Sequence, residues 1–178
     1  MKLLNFFTFP RSIEKRIYEL RTKPAAYWER AGFHALKNLF AYVSREVPAY
    51  RAFLKQNRCT VRGIKGFSDL QSIPISAKPY VQKNNFRDLF PRKNITAITT
   101  FSATSGSTGE PTYFPRGEAE DTQYEYISEL FLRNQFEIHT KTTLGIIGFG
   151  LGVWIGGIFT YKNFNKIAAK GYPFSLIP

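Results

Sequence analysis

Cysteine is nearly absent from this chain: Cys59 stands alone among 178 residues. A single thiol cannot form an intramolecular disulfide, so a disulfide-stapled scaffold is excluded and a reducing compartment fits. Histidine is also scarce. His34 and His139 are the only two, and neither stands with Cys59 at a spacing that suits zinc. Acidic residues are few, 13 against 25 Lys and Arg, for a formal net charge of +12. The deficit is local. Residues 1–58 carry 12 basic and 4 acidic side chains, residues 59–100 carry 7 and 2, and residues 101–178 carry 6 and 7. The basic residues of the first half are interleaved with apolar ones, and no zinc-finger or ribonucleoprotein motif accompanies them. The excess therefore reads first as a solvated face, then as attraction to a small anion or membrane surface, and last as nucleic-acid binding. The amino terminus lacks the apolar run and small-residue cleavage site of a secretory signal.

What the chain does have is a stretch of small donors. Thr104-Ser105-Gly106-Ser107-Thr108-Gly109 places four hydroxyls and two glycines in six residues. Backbone N–H groups in such a turn can converge on one concavity and bind an anion, most obviously a phosphate. A flexible Ser/Gly linker is the bland alternative. Against it, Ile95–Phe101 precedes the stretch and Thr112–Phe114 follows, both apolar or β-branched, which predicts a loop held between two strands. The common NTPase P-loop is excluded, because Gly109 is followed by Glu110 and Pro111 rather than by Lys and Ser/Thr.

Elsewhere the pattern predicts alternating helices and loops. Ser12–Arg21 puts Ile13, Ile17 and Leu20 on one helical face, and Pro24–Val47 reads as a long helix bounded by prolines. Short helices are expected through Phe53-Leu54 and from Ser76 to about Asn84, with Ser68 and Asp69 as candidate caps. Ala119–Gln135 is expected to be a helix burying Tyr126, Ile127, Leu130 and Phe131. Thr142–Phe149 as a strand, Ile158–Lys170 as a helix closed by Gly171 and Phe174–Ile177 as a strand make a βαβ unit with parallel strands. One rival reading concerns Thr142–Tyr161, twenty uncharged residues, which is long enough to span a bilayer. Its six glycines weaken a continuous helix, each by about 1 kcal/mol relative to alanine.

The loop resembles the phosphate loop of the adenylate-forming, acyl-activating enzymes, whose pattern is Ser/Thr-Ser-Gly-Thr/Ser-Thr-Gly-x-Pro followed by Lys or Thr. Thr112 in the last place is similar to the phenylacetate–CoA ligase-like branch. Val47-Pro48-Ala49-Tyr50-Arg51, Phe67-Ser68-Asp69-Leu70 and Ile73-Pro74-Ile75-Ser76-Ala77-Lys78 resemble that branch's earlier segments, in order. Gly148-Phe149-Gly150-Leu151 resembles its later glycine-aromatic segment, although Gly156-Gly157 follow at a spacing two residues longer.

The resemblance implies an α/β fold, α+β at its amino-terminal end: a helical region over residues 1–94, then the first part of a nucleotide-binding domain over 95–178. It implies carboxylate activation by ATP with magnesium, then thioester formation with coenzyme A. Ser105, Gly106, Ser107, Thr108 and Gly109 would grip the ATP phosphates, with Thr104 setting the loop's shape. Phe149 and, more weakly, Trp154 would line the acyl pocket, with core packing as the competing role for both. His34, His139 and Cys59 lie outside these motifs and are expected to be structural. Expected partners are a small carboxylic acid and, as an open option, a second copy of the chain in a homodimer. No specific nucleic acid, no membrane span and a cytoplasmic location are expected. The family's adenine, ribose and magnesium segments come after those matched here. The expectation is thus an amino-terminal fragment, inactive by itself, with a non-catalytic binding protein or a membrane-anchored protein as alternatives.

Overall fold

The computed structural model describes residues 12–59, 64–104, 111–152 and 156–178. Contacts divide these into two compact units. One takes Thr22–Thr96, and the other joins residues 12–21 to Ala97–Pro178.

The first unit is helical. Helix α2, Ala25–Glu46, follows Pro24, whose extended backbone (φ −70°, ψ 158°) stands at the cap position. It stops at Val47 because Pro48 disfavours helical angles in the residue before it; Pro48 then opens α3, Pro48–Gln56. The core of this unit is Phe40, Leu54 and Ile64, with Phe33, Tyr50, Cys59, Leu70 and Ile73 packed around them. Cys59 is thus part of an apolar cluster. Asp69 acts as a local clasp rather than as a first-position cap. Its Oδ2 accepts the N–H of Lys65 at 2.7 Å and of Gly66 at 2.8 Å, opening a 3₁₀ turn over Phe67–Ser72. Those two bonds lower its pKa. Helix α4 covers Lys78–Lys83. Beyond it, Arg92 Nε donates to Glu46 at 2.6 Å and pins the end of α2.

The second unit opens with α1, Ile13–Thr22. Strands β1, Thr100–Ala103, and β2, Tyr113–Arg116, pair antiparallel, with Thr100 opposite Arg116 and Ala103 opposite Tyr113. Gly117 follows β2, and a Cβ there would lie 2.7 Å from the carbonyl oxygen of Ala97, so only glycine fits without a backbone shift. Helix α5, Glu118–Gln135, starts with Glu118, Glu120 and Asp121 in its first turn, where negative charge favours the helix dipole. Then come β3, Thr143–Ile146, α6, Gly157–Ala168, and β4, Phe174–Ile177. Strands β3 and β4 pair parallel, with Thr143 opposite Phe174 and Ile146 opposite Ile177, which is the expected βαβ unit. Gly171, at φ +88°, ends the α6 region in the left-handed region that glycine tolerates.

The core of this unit is Leu132, Ile138, Ile167 and Phe174. Ile138 and Ile167 are fully buried, each worth about 1.5–3 kcal/mol relative to exposure. Two faces differ from the sequence pattern. In α5 the buried residues are Asp121, Ser128, Glu129 and Leu132, while Ile127 and Phe131 remain 55% exposed. Charge pairing is the cause: Glu129 accepts from Lys170 Nζ at 2.6 Å and from the Tyr172 hydroxyl at 2.5 Å. Burial, and after it the bond to Glu129, pushes the Tyr172 hydroxyl above its ordinary pKa. In β3, Leu144 and Ile146 are exposed while Thr143 and Gly145 are half-buried, so the strand is covered on one side only. Thr142–Tyr161 is not one helix: β3 and the first turns of α6 lie within it. Among the described residues, no helix is long and apolar enough to cross a membrane.

Candidate functional site

The β1–β2 hairpin presents the hydroxyl-rich loop. Just past the last strand pair, Thr104 N–H donates to the Thr112 carbonyl at 3.1 Å, and Thr112 N–H donates to Thr104 Oγ1 at 3.0 Å. These two bonds clamp the loop's ends. The clamp sits on a buried base, since Ser102, Ala103 and Thr112 are each at most 7% exposed. Ser105, Gly106, Ser107, Thr108 and Gly109 lie outside the described residues, as does Trp154. Of the loop residues singled out from the sequence, the described structure therefore places Thr104 alone, at the loop's entrance.

A cavity of about 340 Å³ lies beside the foot of the hairpin, with Phe101, Ser102, Arg116, Asp121, Phe159 and Lys162 in its wall. Its polar side is built by pairing across elements. Lys162 of α6 donates to the buried Asp121 carboxylate of α5. Arg116, at the end of β2, lays its guanidinium 4.3 Å from the Phe159 ring centroid on α6, a cation–π contact of about 0.5–2 kcal/mol. Its buried Nε has no hydrogen-bond partner among the described residues. The strand leaving the loop is therefore tied to the helix that follows the glycine-rich segment. Sequence reading missed Arg116, Asp121 and Lys162, because none falls in a motif and their partners lie far along the chain.

The glycine-rich segment folds back on itself. A Cβ on Gly157 would sit 2.2 Å from the Gly150 carbonyl oxygen, an approach that only glycine permits. Phe149 is 62% exposed, its ring beside Gly156. It is thus a surface aromatic within this chain rather than a core residue. The two histidines stand elsewhere. His34 Nδ1 is 3.2 Å from Asn38 Nδ2 on α2. His139 borders a second, more open cleft of about 530 Å³, with Glu14, Arg21 and Arg133. Among the described residues, no group of three or more His, Cys, Asp or Glu is placed to hold a metal ion.

The antiparallel β1–β2 pair, helix α5 and the parallel β3–α6–β4 unit make an α/β fold that recurs in a solved CoA ligase. 2-Hydroxyisobutyryl-CoA ligase, in its postadenylation state with 2-HIB-AMP, superposes with a TM-score of 0.68 at 18% identity, over 88% of this chain and 32% of that one. The same ligase in an open conformation with 2-HIB-AMP and CoA gives 0.66 at 18% identity, over 88% and 35%. In its thioesterification state it gives 0.65 at 21% identity, over 88% and 32%. In sequence, the chain is 34% identical over 96 residues to the phenylacetate-coenzyme A ligase of Thermus thermophilus, a match taking in 53% of this chain and 21% of that relative. No family model matches the chain. The chain thus spans about a fifth of the curated relative and about a third of the solved ligase. The resemblance read from the loop is borne out in sequence by a phenylacetate–CoA ligase and in fold by a CoA ligase.

Proposed function

We propose that this chain supplies the phosphate-binding part of an ATP-dependent acid–thiol ligase of the phenylacetate–CoA ligase-like type. The observation that carries the reading is the clamped hairpin: β1 and β2 hold a run with the family's phosphate-loop pattern in a chain with the CoA-ligase fold. The proposed organisation is a helical region over residues 1–94 and the start of the nucleotide-binding domain over 95–178.

In the proposed reaction a carboxylate oxygen attacks the α-phosphorus of ATP, the bond to pyrophosphate breaks, and an acyl-adenylate forms. The thiol sulfur of coenzyme A then attacks the acyl carbon and AMP leaves. Catalysis of the first step is chiefly positioning and the stabilisation of charge. Ser105, Gly106, Ser107, Thr108 and Gly109 would hold the departing pyrophosphate through N–H and O–H donors. Thr104 sets the loop's entrance, its oxygen accepting from Thr112 while its own hydroxyl proton can still donate. Phe149 and Trp154 are proposed for the wall of the acid's pocket. Magnesium, when bound with ATP, would neutralise phosphate charge. The Thr104–Gly109 run has no basic side chain, so what it would offer ATP is hydrogen-bond donors rather than positive charge. The single thiol suits a reducing, cytoplasmic setting.

The test is titration of the 178-residue chain with ATP and with pyrophosphate, repeated on Ser105→Ala/Thr108→Ala. Each hydroxyl that bonds a charged phosphate oxygen is worth roughly 1.5–3 kcal/mol, so each loss should weaken binding by about one to two decades. Carboxylate-dependent exchange of labelled pyrophosphate into ATP is expected to be absent from this chain alone. Unchanged affinity in the double variant would remove the loop assignment. Exchange by the chain alone would mean that the segments it does not share with its relatives are dispensable.

A further inference from the structure

The cavity at the foot of the β1–β2 hairpin has no part in the loop chemistry above. Its wall lies within the second unit. Phe101 of β1, with Ile158 and Phe159 of α6, makes that wall mostly apolar, and its charged side chains are Arg116, Asp121 and Lys162. The Asp121 carboxylate is buried and paired with Lys162, so those two charges offset each other. Arg116 is left over. It is half-buried, its guanidinium lies against the Phe159 ring, and no carboxylate among the described residues forms an ion pair with it. Two cations and one anion leave the wall with one uncompensated positive charge beside apolar surface. A cation drawn out of water is costly until an anion meets it, and the buried Arg116 N–H is costly until an acceptor does. An anion with an apolar body answers both needs and occupies the rest of the space. A carboxylate in particular meets a guanidinium through two parallel N–H···O bonds.

We propose that this cavity binds a small apolar monocarboxylate on Arg116, as an effector site apart from the loop. Its volume of about 340 Å³ lies at the small end of the range for small-molecule pockets. Arg116 stands opposite Thr100 at the foot of the ladder, while the loop begins at Thr104. That separation is about 13 Å along the strand. An acid poised to attack a phosphorus must come within about 3.5 Å of it, so a carboxylate on Arg116 is not one presented at the loop's entrance. The bound acid instead joins β2 to α6, tying the stem of the hairpin to the helix after the glycine-rich segment. The inference rests on the charge and shape of the cavity, and not on the loop chemistry proposed above.

The probe is benzoate, with benzamide as its uncharged counterpart, each titrated calorimetrically into the full 178-residue chain. Benzoate should bind 1:1, about ten- to a hundredfold tighter than benzamide, and should raise the melting temperature. Arg116→Met should remove that preference, whereas Arg116→Lys should keep part of it because the charge remains. Ile158→Trp should fill the cavity and weaken both probes about tenfold or more. Ile158 is 48% exposed, so that variant should keep the circular dichroism spectrum and melting temperature of the parent, and loss of binding is then not loss of fold. Neither ATP nor pyrophosphate should displace benzoate, which separates this cavity from the loop. Absence of saturable benzoate binding, equal affinity for the two probes, or a preference that survives Arg116→Met would overturn the proposal. So would displacement by pyrophosphate, since benzoate would then sit at the loop.

Discussion

Thr104 and Thr112 face each other one residue beyond the last pair of the β1–β2 ladder, and they share two hydrogen bonds of unlike kind. One runs from backbone to backbone at 3.1 Å, and the other from the Thr112 N–H to the Thr104 hydroxyl oxygen at 3.0 Å. Thr104 thus closes the loop with its side chain as well as its main chain. Among the described residues, Thr112 closes it with its main chain only, and its own buried hydroxyl has no hydrogen-bond partner.

That asymmetry gives opposite outcomes for one and the same substitution. Thr104→Val leaves the Thr112 N–H without its acceptor and should cost about 1–3 kcal/mol, while Thr104→Ser retains the bond. Thr112→Val removes a buried hydroxyl with no partner among the described residues and should be neutral or slightly stabilising. Urea unfolding of the three variants checks this. A large loss from Thr112→Val would show that its hydroxyl holds the loop.

The glycines of the 148–157 segment should separate in the same manner. Alanine at 157 would drive a Cβ into the Gly150 carbonyl, whereas at 148 nothing lies within 4 Å. Gly157→Ala is expected to destabilise by about 1–3 kcal/mol, in the range of overpacking. Gly148→Ala should change stability by well under 1 kcal/mol. Thermal unfolding of both distinguishes a close backbone approach from a segment that is glycine-rich for some other reason.

Asp121 is 4% exposed, and Lys162 is its ion-pair partner in α6. Lys162→Met would leave a buried carboxylate without its cation. The cost should fall below the 3–5 kcal/mol of a fully buried pair, roughly 1–3 kcal/mol, because the Lys162 side chain is 44% exposed. Adding Asp121→Asn should recover part of that loss. A double variant no more stable than Lys162→Met would show that the charge is not the source of the cost.

Acid should destabilise the chain in a definite window. The Glu14 carboxyl is lowered from 4.5 to about 2, first by the Ser12 hydroxyl, then by a backbone hydrogen bond, and then by Arg133. Glu46 is likewise lowered to about 2 by its bonds to Arg92 and Arg45. A depressed folded-state pKa stabilises above the unfolded value and is lost as pH falls toward the folded one. The melting temperature should therefore drop between pH 4.5 and 2, and Glu14→Gln/Glu46→Gln should flatten part of that drop. The Glu14 side chain is mostly exposed, and Glu46, though covered, is paired with arginines that face water, so the effect should be small and should shrink further with salt. A slope unchanged in the double variant would assign the acid sensitivity to other carboxylates.

Local chemistry was enough to read most of the elements. Pro24 and Pro48 bound α2 because proline constrains its own backbone and that of the residue before it. Gly171 ends the α6 region because few other residues tolerate φ near +88°. The strands on either side of Thr104–Thr112, the β3–α6–β4 order and the loop's family pattern are likewise properties of neighbouring residues. What a helix buries is not such a property. In α5, Ile127 and Phe131 look like core residues, yet Asp121 and Glu129 are buried instead, because Lys162, Lys170 and Tyr172 arrive from 41 to 43 residues further along the chain to satisfy them. The stacking of Arg116 on Phe159 and the passage of the Gly150 carbonyl against Gly157 are contacts of the same kind. The exposure of Leu144, Ile146 and Ile177 also depends on tertiary packing, since strand alternation shows that they share a face but not whether anything covers it. Sequence alone determined the elements, because proline and glycine act on their own backbone and on their nearest neighbours. Only the tertiary structure decided which faces are inside, because burial and ion pairing depend on residues far away in the chain.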